Sequence, residues 1–220
     1  MKSLIEYINE SNNIELVSDG NERGFDYVDL GLSSGTMWAT CNVGATKPEN
    51  QGLLFQFGRV DGYVYNDSNN QFRTKYQNKQ DTGDEYIPVT SSGNIYDKGT
   101  TLDLTDDAAH VNMGGKWMMP TNDQLGELLN NTTHKVETIN GVKGMLFTSD
   151  INGHQLFIPF AGYWHGRFYN EGSCSRVWSS QVHASYDYNA YRLYCYSKND
   201  ANVFNDNRSF AFSVRGVFKK

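Results

Sequence analysis

From Val136 onward the chain is a succession of short runs in which apolar and polar residues alternate: "GMLFTS", "HQLFIPFAGYW", "RVWSS", "AYRLYCYS" and "FAFSVRGVF". Alternation at period two, broken by Gly, Asn, Asp and Ser, is the pattern of half-buried strands joined by turns. It commits the C-terminal half to a mainly antiparallel sheet. Upstream, "FDYVDLGLSSGTMWATCNVGA" reads as two more strands and "LLFQFG" as a third. Only two stretches of the body have helical character. In "LTDDAAHVN", Thr105 reads as an N-cap, with Asp106 and Asp107 in a first turn where the helix macrodipole favours acids. In "PTNDQLGELLNN", Thr121 and Gln124 form a capping box, and Leu125, Leu128 and Leu129 supply an apolar face. The expected fold class is therefore α+β, two short helices packed on a mainly antiparallel sheet. Residues 62–100, rich in Asn, Asp, Gly, Ser, Thr and Tyr with little periodicity, are expected to be long surface loops.

A chain of 220 residues is long enough to bury one sizeable core. The body is placed at residues 26–220, preceded by an arm, residues 1–25. Ser3 and Glu6 form a capping-box pattern ahead of a short amphipathic helix at about residues 3–10, with Leu4, Ile5 and Ile8 on one face. Such an arm is either a tag-like terminus or an attachment to a larger assembly. It has no apolar run of the kind that begins a secretory signal, so export by the usual route is not expected. The net charge of −6 and the lack of any Lys/Arg run argue against nucleic acid or an anionic membrane as the main partner. Cys41, Cys174 and Cys195 have no metal-ligand spacing and read as free thiols. His110, His134, His154, His165 and His183 are scattered, so neither a metal nor another cofactor is expected.

The stretch from Ser185 to Phe218 is loaded with Tyr, Asn, Asp and Ser, residues that are costly to bury unless each polar group finds a partner. Strand alternation in "AYRLYCYS" puts Tyr191, Leu193 and Cys195 on one face and Arg192, Tyr194 and Tyr196 on the other. Leu and Cys belong inside. The opposite face then presents Arg192, Tyr194 and Tyr196, and the neighbouring loops are expected to add His183, Tyr186, Asp187, Tyr188, Phe204, Asn205 and Asp206. This is the composition of a paratope, in which Tyr gives stiff amphipathic contact area and Asn and Asp give adaptable hydrogen bonds.

Several segments in order, "YVDLGLSSGTMWATCNVGA", "TTLDLTDDAAHVNMGGKWMMPTNDQLGELLNN", "NGVKGMLFTS", "FIPFAGY", "YNEGSCSRVWSS" and "NAYRLYCYSKNDANV", resemble the Fibrobacter succinogenes major paralogous domain over roughly residues 26–218. The resemblance implies a C-type lectin-like fold of the formylglycine-generating-enzyme branch. It also implies kinship with the variable proteins of diversity-generating retroelements, which include tropism determinants of certain phages. Their mutagenesis acts on adenines, so a varied AAY codon never yields Glu, Lys, Gln, Met or Trp. Between Val182 and Phe218 there is no Glu, Gln, Met or Trp, and Lys occurs only at Lys198.

Three other roles are weighed against that one. An enzyme needs a nucleophile with a base or a convergent acidic pair, and no such motif is present. A calcium-dependent lectin needs carboxylate and amide motifs that are also missing, although sugar held by tyrosine stacking remains open. A purely structural envelope protein has no use for so many exposed aromatics. The expected function is non-catalytic recognition of a host cell-surface receptor, protein or glycan, by a phage receptor-binding protein. Its variable region lies at about residues 180–212, and its location is the virion. The alternatives are a bacterial adhesin of the same family, at the cell surface or extracellular by a non-standard route, or a carbohydrate-binding lectin. The arm would contact other virion or surface proteins, and a homotrimer would suit display.

Overall fold

The structure is a computed structural model that describes residue 14 and residues 16–66, 71–74, 80–81, 99–165 and 167–220. The helix expected at residues 3–10 lies outside the described residues. The chain opens with β1 (Gly20–Glu22), β2 (Phe25–Asp29), β3 (Thr36–Asn42) and β4 (Leu54–Gln56), then β5 (Tyr63–Asn66), β6 (Gln71–Thr74) and β7 (Gln80–Asp81). Helices α1 (Ala108–Met113) and α2 (Asn122–Asn130) follow. The second half runs through β8 (Thr132–Ile139), β9 (Val142–Ser149), β10 (Gln155–Pro159), β11 (Tyr163–Trp164), β12 (Phe168–Tyr169), β13 (Cys174–Val182), β14 (Asn189–Tyr196), β15 (Asp200–Asn207), β16 (Ala211–Ser213) and β17 (Arg215–Lys219). Among the described residues the fold is α+β, mostly sheet with two short helices, as the periodicity predicts.

The strands form three sheets: β1-β2-β3-β17; β10-β9-β8; and a large one ordered β15-β14-β13-β16-β4-β5-β6-β7, with β11 and β12 attached beside β16. All ladders between named strands are antiparallel except β13 with β16, which pair in parallel at Val177 and Ser213. Three findings depart from the sequence reading. Phe204, Asn205 and Asp206 lie not in a loop but in strand β15, paired along its length with β14. Residues 62–100 are not loop throughout, because β5, β6 and β7 extend the large sheet. The sheet also begins ahead of residue 26: β1 pairs with β2, and Ile14 and Leu16 pack against Ile139, Leu146 and Phe157.

Two cores share their central strands. On β13, Val177 faces a core with Trp38, Leu125, Leu128, Phe147, Ile158 and Leu193, whereas Trp178 faces one with Phe55, Phe57, Trp117, Phe212 and Val214. On β3, Met37 and Ala39 likewise face one core and Trp38 the other. Strands buried on both faces explain why "TMWATCN" and "CSRVWSSQV" carry large apolar residues at adjacent positions. Arg215 ties the assembly together from inside. It is fully buried, and its guanidinium donates to Asn42 Oδ1, Ala39 O and Phe157 O at 3.0 Å each. Burial lowers its pKa to about 10, which leaves it charged at neutral pH.

The helices are fixed by their caps. Thr121 and Gln124 make the expected reciprocal box, and Leu125 and Leu128 are buried while Leu129 is half-buried. For α1 the cap is Asp107 and not Thr105. Its carboxylate accepts from His110 N and, through its other oxygen, from Met119 N, both at 2.8 Å. A side chain that anchors two separate backbone segments outcompetes a hydroxyl two residues earlier.

Candidate functional site

The register of β13, β14 and β15 decides which residues meet. Arg176 stands opposite Tyr194, Trp178 opposite Arg192, and Arg192 opposite Phe204, while Asp206 faces Ala190. Because side chains alternate, Arg176, Arg192, Tyr194, Tyr196, Phe204 and Asp206 share one face of the sheet. The other face puts Leu193, Cys195, Ala201 and Val203 into the core. Tyr194 and Tyr196 stack with ring centres 6.0 Å apart, and Phe204 meets Tyr194 edge-on at 6.5 Å. Phe204 is 49% exposed.

Two side chains at the centre are arginines. Arg176 donates to Asp206 Oδ2 at 2.9 Å through Nη1, and Arg192 donates to the same oxygen at 2.5 Å through Nε. The Arg176 guanidinium lies 3.6 Å over the ring of Tyr163, and that of Arg192 lies 4.8 Å from the ring centre of Tyr194. Each retains a buried nitrogen with no acceptor, Arg176 Nε and Arg192 Nη1. Burial lowers the pKa of Arg192, an effect that Asp206 offsets in part and Arg176 adds to. Burial also raises the Tyr194 phenol. Beyond Arg176 the aromatic surface continues, with Tyr163 stacked on Tyr169 at 5.2 Å and His165 against Phe210 at 3.9 Å. His165 is pushed below its ordinary pKa by burial, with Arg176 acting in the same direction.

The expected site residues thus fall into separate groups. Arg192, Tyr194, Tyr196, Phe204 and Asp206 come together. Arg192, however, is only 7% exposed and supports the surface from beneath. Its parity is that of Trp178, whose side of the sheet is itself covered by a core. Asn205 is turned to the opposite face, where it accepts from Asn189 Nδ2 at 2.6 Å. His183, Tyr186, Asp187 and Tyr188 sit in the turn between β13 and β14 as a second cluster. His183 stacks on Tyr186 at 5.1 Å and leans on Tyr191 at 4.9 Å, with Tyr188 5.8 Å from Tyr186. His183 Nδ1 accepts from the backbone amides of Ser185 and Tyr186, which shapes the turn, and Tyr186 and Tyr188 are 51% and 41% exposed.

Sequence reasoning missed Arg176, Tyr163, Tyr169, His165 and Phe210. The signal for Arg176 was present: in "CSRVWSS" it shares parity with Trp178 and opposes Val177. That β11 and β12 would fold beside β16 is a long-range fact that no local pattern carries. Among the described residues no cluster of His, Cys, Asp and Glu is arranged to hold a metal ion. All three cysteines are free. Cys174 lies on the arginine face and Cys195 on the core face, and burial raises both thiols above their ordinary range.

No family model matches the chain, and neither does any curated protein or any solved structure.

Proposed function

We propose that the chain is a non-catalytic recognition protein whose β14–β15 face, with the neighbouring turn 183–188, binds a receptor on a cell surface. The observation that carries this reading is the split between the faces of two adjacent strands. One face is core, with Leu193, Cys195, Ala201 and Val203, and the other presents Tyr194, Tyr196, Phe204 and Asp206. Side chains on such a face can change while the core beneath stays the same. Tyr and Arg are also among the residues that dominate binding energy at protein interfaces.

In this reading the fold is a C-type lectin-like variant of the formylglycine-generating-enzyme branch. The protein is a phage receptor-binding protein, carried on the virion and diversified by a retroelement across about residues 180–212. The resemblance of its motifs and the absence of Glu, Gln, Met and Trp between Val182 and Phe218 support it. Catalysis is disfavoured, because thiols raised by burial are poor nucleophiles and Cys174 and Cys195 face opposite ways. The neighbouring DNA provides the test. The reading requires a near-repeat of the codons for about residues 180–212 that differs only at adenines and lies beside a reverse-transcriptase gene. A genome without that repeat overturns the variable-protein reading and leaves a bacterial adhesin with a fixed surface.

A further inference from the structure

Away from the β14–β15 face, the turn between β8 and β9 closes on a charge that the fold leaves half-satisfied. Ile139 pairs with Val142, so the turn has only two residues, Asn140 and Gly141, both at positive φ (50° and 84°) as an Asn-Gly hairpin turn requires. That geometry brings Asn140 against the loop before β4, where its Nδ2 donates to Glu49 Oε1 at 3.0 Å. Glu49 is 8% exposed, yet among the described residues no cation pairs with it and no donor reaches its other oxygen. Burying a carboxylate costs free energy unless it is paired and hydrogen-bonded, and one amide donor does not offset that cost.

Glu49 also lines a cleft of about 590 Å³, within the size range of small-molecule sites. The walls of the cleft are tied to one another: Gln51 Nε2 donates to Ala161 O at 2.9 Å, and Phe160 N donates to Lys143 O and Gly172 N to Phe160 O, both at 2.8 Å. Val142, Pro159 and Phe160 make part of the lining apolar, and its charged groups are Glu49, Glu171 and Lys143, two carboxylates against one ammonium. We infer that this cleft is a binding site for a small organic amine, whose ammonium group donates to the free oxygen of Glu49 while its hydrocarbon body lies along Val142, Pro159 and Phe160. An ammonium brings both things the carboxylate lacks, a donor and an opposite charge. A neutral alcohol supplies only the donor, and a carboxylate supplies neither. The cleft shares no residue with the β14–β15 face, so this site stands or falls independently of the proposed recognition.

The probes are hexylamine, 1-hexanol and hexanoate, titrated into the full chain and followed by NMR through the backbone amides of Gly141 and Gly172 and the side-chain amide of Asn140. The expected result is that hexylamine shifts these resonances saturably and binds about tenfold more tightly than 1-hexanol, while hexanoate leaves them unmoved. Glu49→Gln keeps an acceptor oxygen for Asn140 but removes the charge, so the folded variant should lose the preference for the amine. Should that variant fail to fold, Lys143→Glu, at an exposed position, makes the cleft more negative and should tighten the binding of hexylamine. Equal affinity for amine and alcohol would leave only an apolar cleft and overturn the inference. A preference for hexanoate would overturn it by making Lys143 the anchor. No saturable shift with hexylamine, or an affinity for it that a folded variant leaves unchanged, would overturn it as well.

Discussion

Trp178 sits at the junction of everything the sheet does. Its indole is fully buried, stacks on Phe212 at 4.1 Å, meets Phe57 edge-on at 5.7 Å and donates from Nε1 to Phe55 O at 2.8 Å. Removing it opens a cavity and orphans a carbonyl, so Trp178→Ala should destabilise the fold by about 3–5 kcal/mol. A thermal melt measures this, and an unchanged midpoint would mean that the strand is not part of the core. Trp38, Trp117, Phe212 and Val214 are buried with it, and so are Leu128 and Leu193, as their place on the apolar faces of α2 and β14 predicts. Arg192 shows where single-residue reading ends. Alternation assigns it a face but says nothing of what covers that face, and its guanidinium lies among Tyr194, Phe204 and Phe212 instead of reaching into water. The reach of Arg215 to β3 and β10 is likewise invisible without the fold.

At the scale of elements, α2 was legible because its signals are local: a capping box, then leucines at helical spacing. The strands β5, β6 and β7 were not, because "YVYN", "QFRT" and "QD" carry too few apolar residues to show a period. Helix α2 is also fastened to the loop before β3. Glu127 accepts from Ser33 Oγ and Ser34 N at 2.9 Å and from Ser34 Oγ at 2.5 Å. Burial tends to raise its pKa, but the bonds from Ser34 and Ser33 outweigh burial and hold it below its ordinary value of 4.5. A carboxylate whose folded pKa is depressed stabilises the fold above its unfolded pKa, and that contribution vanishes as pH falls through the folded value. The stability difference between the wild type and Glu127→Gln should therefore be largest near neutral pH and shrink as the pH falls below the ordinary value of 4.5 and through the lowered folded one. Urea melts across that range measure it, and a difference independent of pH would show that the ionised carboxylate is not what holds the loop.

At the scale of the whole molecule, two cores on either side of β3 and β13 make a scaffold held by packing, and no metal cluster is found among the described residues. EDTA should accordingly leave the melting temperature unaltered. A drop of many degrees would reveal a structural ion, with Asp103, Asp106 and Asp107 the first ligands to test. The same architecture would keep stability apart from the proposed recognition, since the face that carries Tyr194 and Tyr196 lies at the end of the large sheet, on the two strands farthest from β7. Both tyrosines are half-buried and in ring contact, so replacing them costs more than an ordinary surface change, about 1–2 kcal/mol together, and still leaves a folded chain. The direct measurement is the melting temperature of the Tyr194→Ser, Tyr196→Ser double variant beside its attachment to a panel of bacterial cells that bind the wild type. A recognition face predicts a melt lowered by only a few degrees with binding reduced on the order of thirtyfold or more. Unchanged binding by a folded variant, or outright unfolding, would contradict it.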